Sequence, residues 1–232
     1  MNFIESTGKN IDEAITAAGL PLTNGTNSEK CEAALFAKAT GYANDTLPSP
    51  NVLLILSESW SNFLTTMDKG EKLDLLCSLR EHLQQDILLQ NFQSVRNGTI
   101  YSIEAVTLTM PYMRFFNSRY RFKSLPTSIA YPFKQNGYST TFVTGMDPTW
   151  ENVLEGLGYQ SFDTIIGRQD ILHSIEGSTT SAIGVYDEFL MQYIFERMNN
   201  DKSGNPQFML ALTTTNHPPF TYPENMQLPP LG

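Results

Sequence analysis

The sequence predicts an α/β fold, a three-layer sandwich with a mostly parallel central sheet. Three observations carry that reading. Val52-Leu-Leu-Ile-Leu56 is an unbroken apolar run of strand length, the pattern of a strand buried on both faces of a parallel sheet. Two further strand-like runs, at 140–144 and 207–214, lie far along the chain. Helical spacing fills the intervals between these runs, and strands that alternate with helices build βαβ units with helices on both sheet faces.

The elements follow in order. Residues 1–49 read as a helical lead-in or linker, and residues 50–232 as the main domain. The lead-in carries Ala-rich helical patterns at 11–18 and 29–43, closed by Pro48 and Pro50, which cannot continue a helix. After the first strand, Leu73, Leu76, Leu79 and Leu83 give helical spacing over 71–85, and 87–95 reads as a strand. Residues 99–109 form a helix with Ile103, Val106 and Leu108 as its apolar positions. The segment 126–136 reads as a helix with Pro126 in its first turn and Gly137 just past its end. A β-branched strand at 140–144 precedes a helix at 150–157, ended by Gly158, and a strand at 161–166. A strong helix at 187–198 and a buried strand at 207–214 complete the pattern.

Composition sets outer bounds. With 41% hydrophobic and 17% charged residues, the 232-residue chain can bury a core, which excludes disorder as its description. Fifteen Lys and Arg against 24 Asp and Glu give a net charge of −9. Such a surface repels phosphate backbones, so it argues against a nucleic-acid binder and against docking on anionic lipid through a basic patch. No apolar run approaches the roughly 18 residues that cross a bilayer. The opening MNFIESTGKN lacks the basic-then-apolar order of a secretory signal. Cys31 and Cys77 have no metal-ligand spacing, and a single bridge between them stays open.

Ligands of open α/β sheets sit outside the carboxyl ends of the strands. Glu58 follows the first strand directly, where a carboxylate suits a hard cation or, equally, the cap of the next helix. Asn97-Gly-Thr99 opens a helix; Thr99 is either an N-terminal capping residue or a hydroxyl whose alkoxide is eased by the helix N-terminus. A threonine nucleophile needs such help, or a metal. His217, in Thr214-Thr-Asn-His-Pro-Pro-Phe220, lies in a stiff loop after the last strand; it is either able to present its imidazole to an anion or an incidental histidine of a polar loop. His82 reads as a surface residue, and His173 is uninformative.

In this order, the blocks resemble a family. Pro50-Asn-Val-Leu-Leu-Ile-Leu-Ser-Glu-Ser59 resembles the opening strand and metal-binding carboxylate of the sulfatase-like branch of the alkaline phosphatase superfamily. The resemblance is to its lipoteichoic acid synthase and phosphoglycerol transferase group, which has one Glu where sulfatases usually pair two aspartates. Asn97-Gly-Thr99-Ile with Glu104 is similar to the segment that holds that group's threonine nucleophile. Gln135-Asn-Gly-Tyr138, Trp150-Glu-Asn152, Leu157-Gly-Tyr159, Gly184-Val-Tyr-Asp187 and the His217 block resemble its later segments, so the likeness spans about 50–223. The Cys/Ser-x-Pro-x-Arg motif of a true sulfatase is absent.

The resemblance implies the alkaline phosphatase/sulfatase-like form of the three-layer sandwich. It implies that Glu58 and Thr99 bind one divalent ion, Mn²⁺ or Mg²⁺, and that Thr99 attacks a phosphodiester and becomes phosphorylated. His217 would touch a substrate phosphate oxygen, with Trp150 and Asn152 lining the head-group pocket. The substrate would be a phospholipid head group or glycan phosphodiester, at the outer face of the cytoplasmic membrane, with the membrane segments outside this chain. Two departures stand out. The group's Trp-Asn-Arg is Trp150-Glu151-Asn152-Val153 here. Its downstream Asp-His metal pair is not reached by Gly232, so a domain incomplete at its C-terminal side is expected. A sulfatase-type hydrolase and a catalytically silent anion-binding module of the envelope are the alternatives.

Overall fold

The computed structural model describes residues 12–13, 24–26, 30, 48–70, 73–89, 92–94, 96–110, 114–224 and 226. The chain forms two compact units, Met1–Pro48 and Ser49–Gly232. In the first, the expected helices at 11–18 and 29–43 fall almost wholly outside the described residues, as does Cys31. Lys30 Nζ there pairs with Asp12 at 2.8 Å.

The second unit is organised by four parallel strands: β1 (Val52–Leu56), β2 (Ser139–Thr144), β3 (Thr164–Ile166) and β4 (Gln207–Leu212), in the spatial order β1-β4-β2-β3. Leu56 and Thr144 both register with Leu212, so three strands end at one level. The helices are α1 (Phe63–Met67), α2 (Leu79–Gln85), α3 (Thr99–Leu108), α4 (Ala130–Gln135), α5 (Val153–Gly158), α6 (Arg168–Ser174) and α7 (Asp187–Asn200).

Period-2 alternation on β4 divides the core into two layers. Phe208, Leu210 and Leu212 face a cluster with Ile103 and Leu108 of α3, Phe116, Phe142 and Leu157. Met209 and Ala211 face the opposite cluster, with Ile171 of α6 and Leu190 and Ile194 of α7. All six β4 residues are buried. Phe208 stacks on Phe133 with centroids 4.0 Å apart. Burying side chains of this size contributes about 1.5–3 kcal/mol each, which makes β4 the centre of the fold.

The structure corrects several expectations. β1 is an edge strand paired with β4 alone among the described strands, and Leu53, Leu54 and Ile55 are exposed rather than buried on both faces. Residues 87–89 and 92–94 form no strand; Ile87 is 93% exposed and Phe92 77%. The helix expected over 71–85 is only α2, preceded by a bridge between Gly70 and Leu73 and a turn. Asp68 bears on the late start: it accepts bonds from the Arg80 guanidinium and the Leu75 N–H, which tie down the turns at 75–78 ahead of α2. The helix expected from Pro126 begins at Ala130, and the strand expected from Ser161 begins at Thr164. Among the described residues, no helix is long and apolar enough to cross a membrane.

Candidate active site

The common level at which β1, β2 and β4 end is where the candidate residues gather. Thr213 continues the β1–β4 pairing by donating its N–H to Leu56 O at 3.1 Å. Its hydroxyl oxygen then accepts the Glu58 N–H at 2.8 Å, so the loop after β4 fixes the loop after β1. The Glu58 carboxylate receives one hydroxyl on each oxygen: Ser59 donates to Oε1 at 3.2 Å and Thr99 to Oε2 at 2.8 Å.

Thr99 reaches that position because Gly98 turns the chain with φ of 115°, a backbone region that side chains other than hydrogen rarely allow. α3 therefore starts at Thr99, with the positive end of its dipole beside the hydroxyl. That placement lowers the cost of negative charge on Oγ1.

His217 comes from the loop after β4, held by the start of α7. Asp187 Oδ1 accepts the Thr214 N–H at 2.7 Å, and Oδ2 accepts the Thr215 N–H at 3.2 Å. The Asp187 N–H in turn donates to Thr215 Oγ1 at 2.8 Å. His217 donates its backbone N–H to Thr214 O at 3.1 Å. Its ring Nδ1 lies 2.7 Å from Pro218 O. A carbonyl only accepts, so Nδ1 carries the hydrogen and Nε2 is the ring nitrogen left for a ligand.

Glu58, Thr99, Trp150 and His217 line one cavity of about 400 Å³. Asn152 does not join them. Glu151 and Asn152 adopt left-handed φ values of 51° and 59°, which break the expected helix at 150–157 into a 3₁₀ turn followed by α5. Asn152 Nδ2 donates instead to Asn117 Oδ1 at 2.6 Å, and Asn117 donates to the Glu151 carboxylate.

The same cavity holds two charged residues that the sequence reading did not single out, Asp147 and Arg168. Each follows a strand carboxyl end, β2 and β3 respectively, and that placement was the available signal. Asp147 accepts the Thr149 N–H at 3.0 Å and the Thr149 hydroxyl at 2.7 Å. These two bonds, helped by the charge of Arg168, hold its carboxyl below the usual value.

Glu58 and Thr99 offer hard oxygen donors of the kind that Mg²⁺ and Mn²⁺ prefer. Among the described residues, however, no group of three or more His, Cys, Asp or Glu side chains is placed to hold a metal. The chemistry of these two oxygen donors fits such an ion.

Comparison with known proteins bears on the family and the fold. The sulfatase family model matches residues 50–228. An alkaline phosphatase superfamily protein from Vibrio parahaemolyticus is 27% identical with a TM-score of 0.57, over 76% of this chain and 43% of that one. The lipoteichoic acid synthase LtaP from Listeria monocytogenes is 20% identical with a TM-score of 0.66, over 79% of this chain and 45% of its own. The periplasmic domain of EptC from Escherichia coli, solved in complex with zinc, is 19% identical with a TM-score of 0.54, over 77% of this chain and 48% of that domain. The chain thus spans less than half the length of each of these structures. Matched over more than half its length by the family model, and sharing the parallel α/β sheet of these domains, the chain belongs to the sulfatase family, within the alkaline phosphatase superfamily.

Proposed function

We propose that this chain carries the nucleophile end of a metal-dependent phosphoglycerol or phosphoethanolamine-type transferase or phosphodiesterase, acting on envelope lipid or glycan phosphodiesters. The observation that carries the reading is the 2.8 Å hydrogen bond from the Thr99 hydroxyl to Glu58 at the N-terminus of α3, inside a cavity that also presents His217. Sulfatase-family membership and the fold shared with LtaP support an enzyme of this general kind.

In this reading, Glu58 Oε2 holds the Thr99 hydroxyl hydrogen and directs an oxygen lone pair into the cavity. Thr99 Oγ1 forms a bond to phosphorus while the bond from phosphorus to the leaving alcohol oxygen breaks and the Thr99 proton passes by way of Glu58 to that oxygen, giving a phospho-threonine intermediate and a free alcohol. Water or an acceptor hydroxyl then attacks that phosphorus and restores Thr99. His217 Nε2 contacts a phosphoryl oxygen, and the positive end of α3 offsets charge gathering at Thr99. Trp150 offers an apolar wall for the head group. A divalent ion held by Glu58 and Thr99, Mn²⁺ or Mg²⁺, would supply further lowering of the threonine pKa and Lewis-acid stabilisation when bound. The zinc complex of EptC supports metal binding within this fold. The proposal places residues 50–232 in the catalytic domain, 1–49 as the segment leading into it, and the site on the outer face of the cytoplasmic membrane.

The experiment is lipid turnover by the whole polypeptide. With Mn²⁺ and phosphatidylglycerol vesicles, wild type should release diacylglycerol and the Thr99→Ala variant should not. Equal release by both would remove Thr99 as nucleophile, and no release of either lipid or glycan products by wild type would remove the transferase reading.

A further inference from the structure

Arg168 is the only Lys or Arg among the described residues that line the Thr99 cavity, where it shares the walls with two carboxylates, Glu58 and Asp147. Its backbone is held in place by three short-range features. The Arg168 N–H donates to Met146 O at 2.8 Å, across the turn that leaves β2. The preceding Gly167 donates its N–H to Asp170 Oδ2 at 2.9 Å. A Cβ on Gly167 would come within 2.3 Å of Pro148 Cδ, so the turn from β3 into α6 packs against the 146–148 loop only with glycine there. The start of the Arg168 side chain is therefore positioned by backbone contacts rather than by its charge.

Arg168 is half-buried, and no hydrogen bond or ion pair joins its guanidinium to a described side chain. Asp147 is close enough to feel its charge, but that carboxylate already accepts two bonds from Thr149. A guanidinium stays ionised in any protein environment, and withdrawing it from water without a counter-ion costs free energy. The five donors of its planar fork match the oxygens of a phosphoryl group, which they bind in pairs. Lys would meet such a group as a point charge only. Glu58 and Asp147 by themselves would repel an anion, so anion entry depends on a positive group among these walls.

We propose that Arg168, alongside His217, binds the phosphoryl oxygens of the ligand in this cavity, and that its charge selects for a phosphodiester or phosphate anion over an uncharged ester or polyol. This assignment rests on the phosphodiester reading of the site and adds to it the group that recognises the anion.

Calorimetric titration of the whole polypeptide with inorganic phosphate, and separately with glycerol as an uncharged control, tests it. Wild type should bind phosphate, Arg168→Gln should bind it at least about tenfold more weakly, and Arg168→Lys should recover part of the loss. Glycerol affinity should be the same in all three. Matching unfolding midpoints for the three proteins establish that the loss is local. Equal phosphate affinity in wild type and Arg168→Gln would overturn the proposal, as would absence of phosphate binding by wild type. The two readings separate cleanly. Phosphate binding that depends on Arg168 without any lipid turnover keeps this inference and removes the transferase. Thr99-dependent turnover with an unchanged KM in Arg168→Gln does the reverse.

Discussion

The Thr99 hydroxyl donates to Glu58 Oε2 at 2.8 Å across 41 positions of sequence, joining the start of α3 to the end of β1. The contact exists because Gly98 turns the chain ahead of α3 and Thr213 fixes Glu58 from the other side. Replacing Thr99 by Ala removes an oxygen that only partly contributes to packing. The expected outcome is loss of turnover by about 10³-fold or more, as for other removed nucleophiles. The unfolding free energy should change by less than about 1 kcal/mol. Paired kinetics and urea unfolding check both halves, and Thr99→Ser should retain measurable turnover.

Glu58→Gln keeps the shape and one carbonyl acceptor but removes the charge. Affinity for Mn²⁺ should fall by at least about tenfold, since a neutral amide is a poorer hard-cation ligand. The rate should fall more than KM rises, because the change acts on the nucleophile and not on the phosphate contacts. Calorimetry with MnCl₂ and steady-state kinetics on the same preparation measure the two effects; unchanged metal affinity would reduce Glu58 to a hydrogen-bond partner of Thr99.

Asp187 acts through the loop that carries His217. Asp187→Ala leaves the N–H groups of Thr214 and Thr215 without their acceptors, and Thr214 is only 2% exposed. A buried donor left unsatisfied costs about 1–3 kcal/mol, so a loss of that size is expected in thermal or urea unfolding. Asp187→Asn, which keeps one acceptor oxygen, should lose less. In both variants, KM for the phosphodiester should rise as the His217 loop loosens.

Glu104 sits five positions beyond Thr99 on α3 and is 2% exposed. Its Oε1 accepts the Phe116 N–H at 2.8 Å, while Oε2 has no hydrogen-bond partner among the described residues. Burial pushes its carboxyl above the ordinary 4.5, and the backbone bonds from Phe116 and Phe115 offset only part of that. Folding therefore favours the protonated form. The stability it contributes is fully present below pH 4.5 and is lost as the pH rises through the folded-state value. Glu104→Gln is neutral throughout and keeps the Phe116 contact. Urea midpoints measured at about pH 4 and about pH 8 should show a smaller decline for the variant than for wild type. Equal declines would mean that the carboxylate is paid back by a contact to solvent.

The sequence made the centre of the fold legible and its margin less so. β4, α3 and α7 stand where periodicity places them: β4 is buried throughout, and α3 and α7 each bury apolar residues against it, Ile103 and Leu108 on one side and Leu190 and Ile194 on the other. The Val52–Leu56 run identifies a strand correctly, yet an apolar run records that a segment suits burial and does not say which neighbours cover it. The same holds at Ile87, Leu89 and Phe92, whose exposed side chains show apolar character without a strand. At the candidate site, Glu58, Thr99 and His217 line one cavity because they lie in the loop after β1, just past the turn glycine Gly98, and in the loop after β4. Asn152 is not among the residues that line this cavity; it follows Glu151 in a left-handed pair that neither residue announces in the sequence. Arg168 was missed because its placement in the cavity depends on the packing of Gly167 against Pro148, a contact between two separate turns that no local pattern records.

The most direct test of the central claim is a mass measurement on the trapped intermediate. The whole polypeptide, incubated with Mn²⁺ and phosphatidylglycerol and quenched in acid, should carry a phosphoglycerol adduct that peptide fragmentation assigns to Thr99. An adduct on any other side chain, or turnover that proceeds with no adduct and survives Thr99→Ala, would contradict a threonine nucleophile at this site.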